Sequence, residues 1–264
     1  MPLSDAEVAV AAALAGAEIV RRDYGRDPVR FAKTATDFAT QTDLDAEAAI
    51  MDVLARHRPT DQRTGEESGN SPEGVAGRRW LVDPLCGTLN FAASTPLVAV
   101  NVALLEAGSA RAAAAVDPIA REAFWTDGFQ AYLRRDGDLK VTPAPDSGLV
   151  EINCDGPLDR PFVGGQLVHD PALRAAFGPR VISSTLGVAW VAAGRRAAYI
   201  SDGTFRDNLH FAAGIAIAEA AGCVVSDLCG EPLHTGRGLI VAADRPTQQA
   251  MLALVEPHLA RVLS

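Results

Sequence analysis

The sequence predicts a mixed fold, an α+β half joined to an α/β half. Three observations predict it. Helical patterns come first and are followed, from Trp80 to Val141, by short apolar stretches broken by turn residues, as in an antiparallel meander. Thr142 to Gly148 (TPAPDSG) combines two prolines, a glycine and small polar residues, and reads as a linker. Beyond it, strand-like and helical patterns alternate.

Each element has its own signal. Ser4 with Glu7 forms a capping box that opens a helix running to about Arg22. Asp45 to His57 reads as a second amphipathic helix, ended by Pro59. Phe38 to Asp43 between them is a short polar link. Trp80 to Val82 is a short apolar run punctuated by Asp83 and Pro84, and a helix is expected to open at Gly87. Val98 to Leu105 is continuously apolar, as a buried strand would be. Ala112 to Val116, Glu122 to Trp125, Ala131 to Arg134 and Leu139 to Val141 follow as strands, with turns at Asp117-Pro118, Gly128 and Gly137. After the linker, helices are expected at Pro171 to Phe177, Thr185 to Ala193, Asn208 to Ala221 (N-capped by Asp207) and Thr247 to Val262. Strands are expected at Ala197 to Ile200, Val224-Val225 and Leu239 to Ala242. The division falls between residues 1–145 and 146–264.

Composition bounds the function. With 264 residues, 48% of them hydrophobic, the chain can bury a large core or two intimate ones and is not a disordered chain. The 24 basic residues against 33 acidic ones give a net charge of -9, and only Lys33 and Lys140 are lysines. A phosphate-backbone binder needs a basic face, so no nucleic-acid partner is expected. Four scattered cysteines suggest a reducing compartment. The alanine-rich start lacks a basic n-region, and no apolar run is long enough to span a membrane. A cytoplasmic protein with no membrane partner is expected.

Two acidic clusters carry the chemistry. Gly65-Glu66-Glu67-Ser68-Gly69 is a loop bracketed by glycines, and Asp83-Pro84-Leu85-Cys86-Gly87-Thr88 follows a buried strand. Carboxylates at a strand end, beside amides at a helix start, can hold a divalent cation and receive an anion. The competing reading is a pair of solvated turns.

The segments Gly65 to Ser68 and Trp80-Leu81-Val82-Asp83-Pro84-Leu85-Cys86-Gly87-Thr88-Leu89-Asn90-Phe91 resemble the two signatures of the inositol monophosphatase family. Thr40 to Asp43, Asp117 to Trp125, Ala189 to Arg195 and His210 to Asp227 are similar to further family segments, so the resemblance covers nearly the whole chain. It implies a layered αβαβα sandwich, a homodimer, and Mg²⁺-dependent hydrolysis of a phosphate monoester. By position it implies Glu66, Asp83 and the Leu85 carbonyl as metal ligands, Asp43 and Thr88 orienting the attacking water, and the Gly87 and Thr88 amides cradling the phosphate.

The departures are specific. Cys86 and His210 stand where the family has the two aspartates of its second metal site. Thiolate and imidazole suit softer ions. Three readings stay open: a Zn²⁺ or other soft-metal site shared by Cys86, His210 and Asp83, an unmetallated acid/base or nucleophilic pair, and drift. Gly203 falls on the family's substrate-contacting glutamate, leaving Asp202 and Asp207 as candidate substrate contacts. The expected function is metal-dependent hydrolysis of a small polyol, sugar or nucleoside phosphate with a degenerate second metal site. The rivals are elimination, cyclisation or isomerisation in a specialised biosynthetic pathway, run by Cys86 and His210, and a non-catalytic binding protein.

Overall fold

The computed structural model describes residues 2–34, 38–71, 75–157, 160–205, 208–233 and 236–262. Contacts divide the chain into two units. The first comprises residues 1–140 with segments 184–186 and 209–217, and the remainder forms the second.

The first unit opens with α1 (Asp5–Asp23), where Ser4 and Glu7 make the reciprocal capping box that the sequence shows. A hairpin of β1 (Arg30–Ala32) and β2 (Phe38–Thr40) leads into α2 (Gln41–His57). This helix starts four residues before the expected Asp45, because Thr40 and Asp43 form a second capping box. Then come β3 (Asp61–Gly65), β4 (Gly69–Asn70), β5 (Val75–Cys86), the short α3 (Thr88–Ala92), β6 (Ala99–Glu106), β7 (Ser109–Asp117), β8 (Glu122–Thr126), β9 (Ala131–Arg134) and β10 (Asp138–Lys140). These strands form one eight-stranded sheet in the order β10-β9-β8-β7-β6-β5-β3-β4. It is antiparallel except where β3 runs parallel to β5.

Ala12, Val20, Ile50 and Leu54 from α1 and α2 join Trp80, Val82, Val100, Val102 and Leu104 from the sheet in one apolar core. Each large side chain fully buried there contributes roughly 1.5–3 kcal/mol. Trp80 also satisfies its indole by donating Nε1–H to Asp61 at 2.9 Å.

Two features of the sheet position the site. Pro84 cannot donate to the ladder, and the β5–β6 register shifts between Asp83 and Cys86. Upstream of that irregularity, Asp83 lies directly opposite Asn101.

The second unit contains β11 (Leu149–Ile152), α4 (Val163–His169), α5 (Pro171–Ala176), β12 (Gly178–Val181), most of α6 (Leu186–Ala192), β13 (Ala198–Ser201), the end of α7 (Ala212–Ala221), β14 (Val224–Ser226), β15 (Leu239–Ala242) and α8 (Arg245–Val262). Its mixed sheet has the order β12-β11-β13-β15-β14. Val150, Ile152, Ala198, Ile200 and Ile240 pack there against Val163 and Leu167 of α4 and Met251 and Val255 of α8.

Two expectations change here. The helix expected from Asn208 begins at Ala212, so His210 lies in a turn before it, and its expected N-cap Asp207 lies outside the described residues. The helix α4 was not expected, since Gly164 and Gly165 are poor helix formers. Among the described residues, no helix is long and apolar enough to cross a membrane.

Candidate active site

Glu66, Asp83 and His210 each offer a donor atom, and the three atoms lie within 4.8 Å of one another. Each arrives by a different route. Glu66 opens the turn after β3, with its amide donating to the Val82 carbonyl at 3.1 Å. Asp83 ends the regular part of β5 and is fully buried. His210 comes from segment 209–217 and keeps its ring 40% exposed.

The turn carrying Glu66 closes over a buried carboxylate from α2. Glu47 accepts the Glu67 and Ser68 amides, each at 2.8 Å. Gly65 permits this approach, since a Cβ there would lie 2.5 Å from a Glu47 oxygen. Lys33 reaches the same turn, its Nζ 3.1 Å from Glu66 Oε1 and 2.6 Å from Glu67 Oε1. An ammonium therefore neutralises carboxylates at the place where a metal cation would.

Asp83 Oδ1 accepts the Leu85 amide at 3.2 Å, and its Oδ2 lies 2.8 Å from His210 Nδ1. Burial raises the Glu66 pKa, and the Asp83 charge adds to the rise. Burial alone would lower the His210 pKa, but the Asp83 hydrogen bond and the Asp83 and Glu66 charges outweigh it and raise the value. The Nδ1 side of this imidazole is thus held as the cationic partner of Asp83, while the ring remains partly exposed.

Asp43 and Thr88 meet beside this cluster. The Thr88 hydroxyl is 3.2 Å from both Asp43 Oδ1 and the Leu85 carbonyl oxygen. The other Asp43 oxygen accepts the Thr40 amide at 2.7 Å and the Thr40 hydroxyl. Burial lifts the Asp43 pKa to about 6 against these hydrogen bonds. Gly87 caps α3 at φ +93, and a Cβ there would meet the Leu97 carbonyl oxygen at 2.8 Å. Only glycine fits both requirements.

Other predicted site residues are placed differently. Cys86 is not among the three gathered donors, and burial, followed by the Asp83 charge, pushes its thiol well above the ordinary range. In the absence of a metal such a thiol is a poor nucleophile. Asp202 lies in the second unit, where its two oxygens accept the Val163 and Gly164 amides at 2.9 and 2.8 Å and cap α4. Asp207 lies outside the described residues. Sequence reasoning missed Lys33, Glu47, Asn101 and Thr185. Only Lys33 carried a signal, as one of two lysines in the chain.

Two carboxylates and an imidazole converging on one point, next to a Thr–Asp pair, define a candidate cation site on a mixed α/β scaffold. The chain belongs to the inositol monophosphatase family, whose model matches residues 3–260. It is 31% identical over 257 residues to the inositol-1-monophosphatase of Mesorhizobium japonicum, covering 96% of each chain. It is 32% identical over 262 residues to the Nus factor SuhB of Pseudomonas aeruginosa, again covering 96% of each. The crystal structure of extragenic suppressor protein suhB from Bartonella henselae matches with a TM-score of 0.81 and 28% identity, covering 94% of this chain and 96% of that one. The layered, mixed α/β fold expected from the resemblance is the fold of these relatives.

Proposed function

We propose that this protein is a phosphomonoesterase that acts on a small polyol, sugar or nucleoside phosphate with one divalent cation. The observation that carries this reading is the gathering of Glu66, Asp83 and His210 within 4.8 Å of one another. Glu66 and Asp83 supply hard oxygen donors, and the Leu85 carbonyl lies two residues beyond Asp83, a set that suits Mg²⁺. When bound, such a cation supplies polarisation of a phosphoryl oxygen and a more acidic water. Asp43, reaching the Thr88 hydroxyl at 3.2 Å, orients that water and takes up its proton. The Gly87 and Thr88 amides cradle the phosphate, with Gly87 chosen for the close approach. His210, oriented through Nδ1 by Asp83, presents its other nitrogen to the leaving oxygen.

The family's second cation has a poorer fit. A thiol at Cys86 and a His210 hydrogen-bonded to Asp83 are not hard oxygen ligands for a second Mg²⁺. The oriented, accessible His210 favours a second reading, acid/base chemistry without hydrolysis. The two readings separate in one experiment, phosphate release from a panel of small esters with Mg²⁺ or EDTA. The proposal expects Mg²⁺-dependent release that Glu66→Gln abolishes. No release from any ester, by a folded protein that binds Mg²⁺, would favour the second reading.

We also read the chain as a homodimer, following the family resemblance, which light scattering would test, and as cytoplasmic, from its four scattered cysteines. Relatives bear the name Nus factor SuhB, but a net charge of -9 argues against a nucleic-acid backbone as direct partner.

A further inference from the structure

We propose that Asn101 is a positioning residue whose side-chain amide, relayed through Thr185 to Cys86, occupies the side of Asp83 that a second cation would need. This rests on the reading of Asp83 as a cation ligand.

The register of the sheet creates the arrangement. Asp83 and Asn101 are cross-strand partners on β5 and β6, so their side chains stand side by side. Asp83 is fully buried and Asn101 is 1% exposed. Asn101 Nδ2 lies 3.0 Å from Thr185 Oγ1 and 3.4 Å from Asp83 Oδ2. A primary amide has two N–H groups, and here one faces each acceptor. Thr185, itself buried, directs both its hydroxyl and its amide at the Cys86 sulfur. The chain of donors therefore runs from Asn101 to Thr185 to Cys86, without a formal charge on any member.

Asp83 Oδ2 is the oxygen that matters. It is already 2.8 Å from His210 Nδ1 and takes the Asn101 amide as well. Two protein donors thus converge on the oxygen that faces position 210, where the resemblance puts a ligand of the second cation. The cost of the arrangement is visible, because Asn101 Oδ1 is buried with no hydrogen-bond partner. An apolar residue of similar size would avoid that penalty. The opposite amide orientation would aim Oδ1 at the Asp83 carboxylate, so electrostatics fixes the donor side toward Asp83. Asn101 is held for its N–H groups and not for core stability.

The consequence is that Cys86 and His210 are not the whole of the difference at the second position. Restoring two carboxylates leaves the Asn101 N–H on Asp83 Oδ2. The test is Mn²⁺ binding by calorimetry, with stoichiometry and affinity measured for the full chain and variants. The wild type should bind one Mn²⁺. The Cys86→Asp/His210→Asp variant should take a second ion only weakly. Adding Asn101→Ser should tighten that second ion at least ~10-fold, the low end of effects from partners of metal ligands. A double variant that binds two ions as tightly as the triple variant overturns the relay. A folded wild type that binds no Mn²⁺ overturns the cation reading itself, and the relay falls with it. Should the triple variant fail to fold, Asn101→Ser alone decides. The relay predicts about 2–10-fold slower reaction of Cys86 with a thiol reagent, the scale of one hydrogen bond, because a Thr185 hydroxyl without its Asn101 partner donates less strongly to the thiolate. An unchanged rate in that folded variant overturns it.

Discussion

The Glu66 turn depends on Glu47, and replacing that residue by glutamine perturbs the clamp without removing its bulk. Glu47 is 3% exposed, and its two oxygens hold the Glu67 and Ser68 amides at 2.8 Å each. In Glu47→Gln one oxygen remains as an acceptor, while the new NH₂ group faces a backbone N–H that it cannot accept. Losing a hydrogen bond to a carboxylate costs about 1.5–3 kcal/mol, and an unmet buried N–H costs about 1–3 kcal/mol. These two figures overlap, so the net loss is about 2–4 kcal/mol. For a chain of this size that lowers the melting temperature by roughly 5–15 °C. The same loosening lets Glu66 wander, and divalent cation affinity should fall about 10–100-fold. Thermal melts in EDTA and Mn²⁺ titrations of the two proteins measure both effects. If Glu47→Gln melts like the wild type and binds Mn²⁺ equally well, the turn is not held by this carboxylate and the argument fails.

Three further outcomes follow from the same geometry. Asp43, raised from 3.8 to about 6 by burial, binds its proton more tightly in the folded chain. Its ionisation therefore opposes folding as pH rises from about 4 to 6, by up to about 3 kcal/mol, and Asp43→Asn should flatten that slope in metal-free melts. Phosphate release needs the carboxylate, so its pH profile should rise through about pH 6. Gly87→Ala should abolish turnover and lower the melting temperature, because its Cβ meets the Leu97 carbonyl oxygen at 2.8 Å. Gly69→Ala is the control, with φ +70 but no atom within 4 Å, and should cost only about 1–2 kcal/mol. Lys33→Ala removes the ammonium that competes for Glu66. It should tighten Mn²⁺ binding by up to about fivefold, the scale of a partly exposed ion pair, and lower metal-free stability.

What was legible in the sequence depended on whether the determining contacts were local. The start of α1 was readable because Ser4 and Glu7 cap each other within one turn. The start of α2 was equally local, yet the Thr40–Asp43 pair reads as site chemistry and the sequence pattern places the helix at Asp45. The pair does both jobs, since one Asp43 oxygen caps the helix and the other faces Thr88. The helix α4 was not legible, because two glycines argue against it and its cap, Asp202, lies 38 residues beyond Gly164. Sequence offers Asp202 as a candidate substrate contact because it neighbours Gly203, where the family's substrate-contacting glutamate falls. Glu47 looks like a solvent-facing charge on an amphipathic helix until the Glu66 turn is folded over it. Asn101 sits in a continuous apolar run, and only the β5–β6 register reveals Asp83 across from it.

The charges at the site favour one cation over two on the proposed reading. Glu66, Glu67 and Asp83 bring three carboxylates, while Lys33 and a protonated His210 bring two positive charges. The cluster without metal is thus close to balance, which a buried carboxylate such as Asp83 requires. One divalent ion can enter if Lys33 swings away, leaving the sum within one charge of neutral. A second divalent ion would have to enter a site already neutral, with no anionic group at positions 86 or 210 to receive it. In the relatives that the resemblance describes, two aspartates fill that role. Here the same two positions carry a neutral thiol and an imidazole that already neutralises Asp83, so the substitutions act together. Against two aspartates the pair lacks three negative charges, of which Cys86→Asp restores one and His210→Asp two. Cys86→Asp, which leaves the His210 cation in place, should therefore bind a second Mn²⁺ no better than the wild type, and a second ion captured by it would refute this electrostatic account.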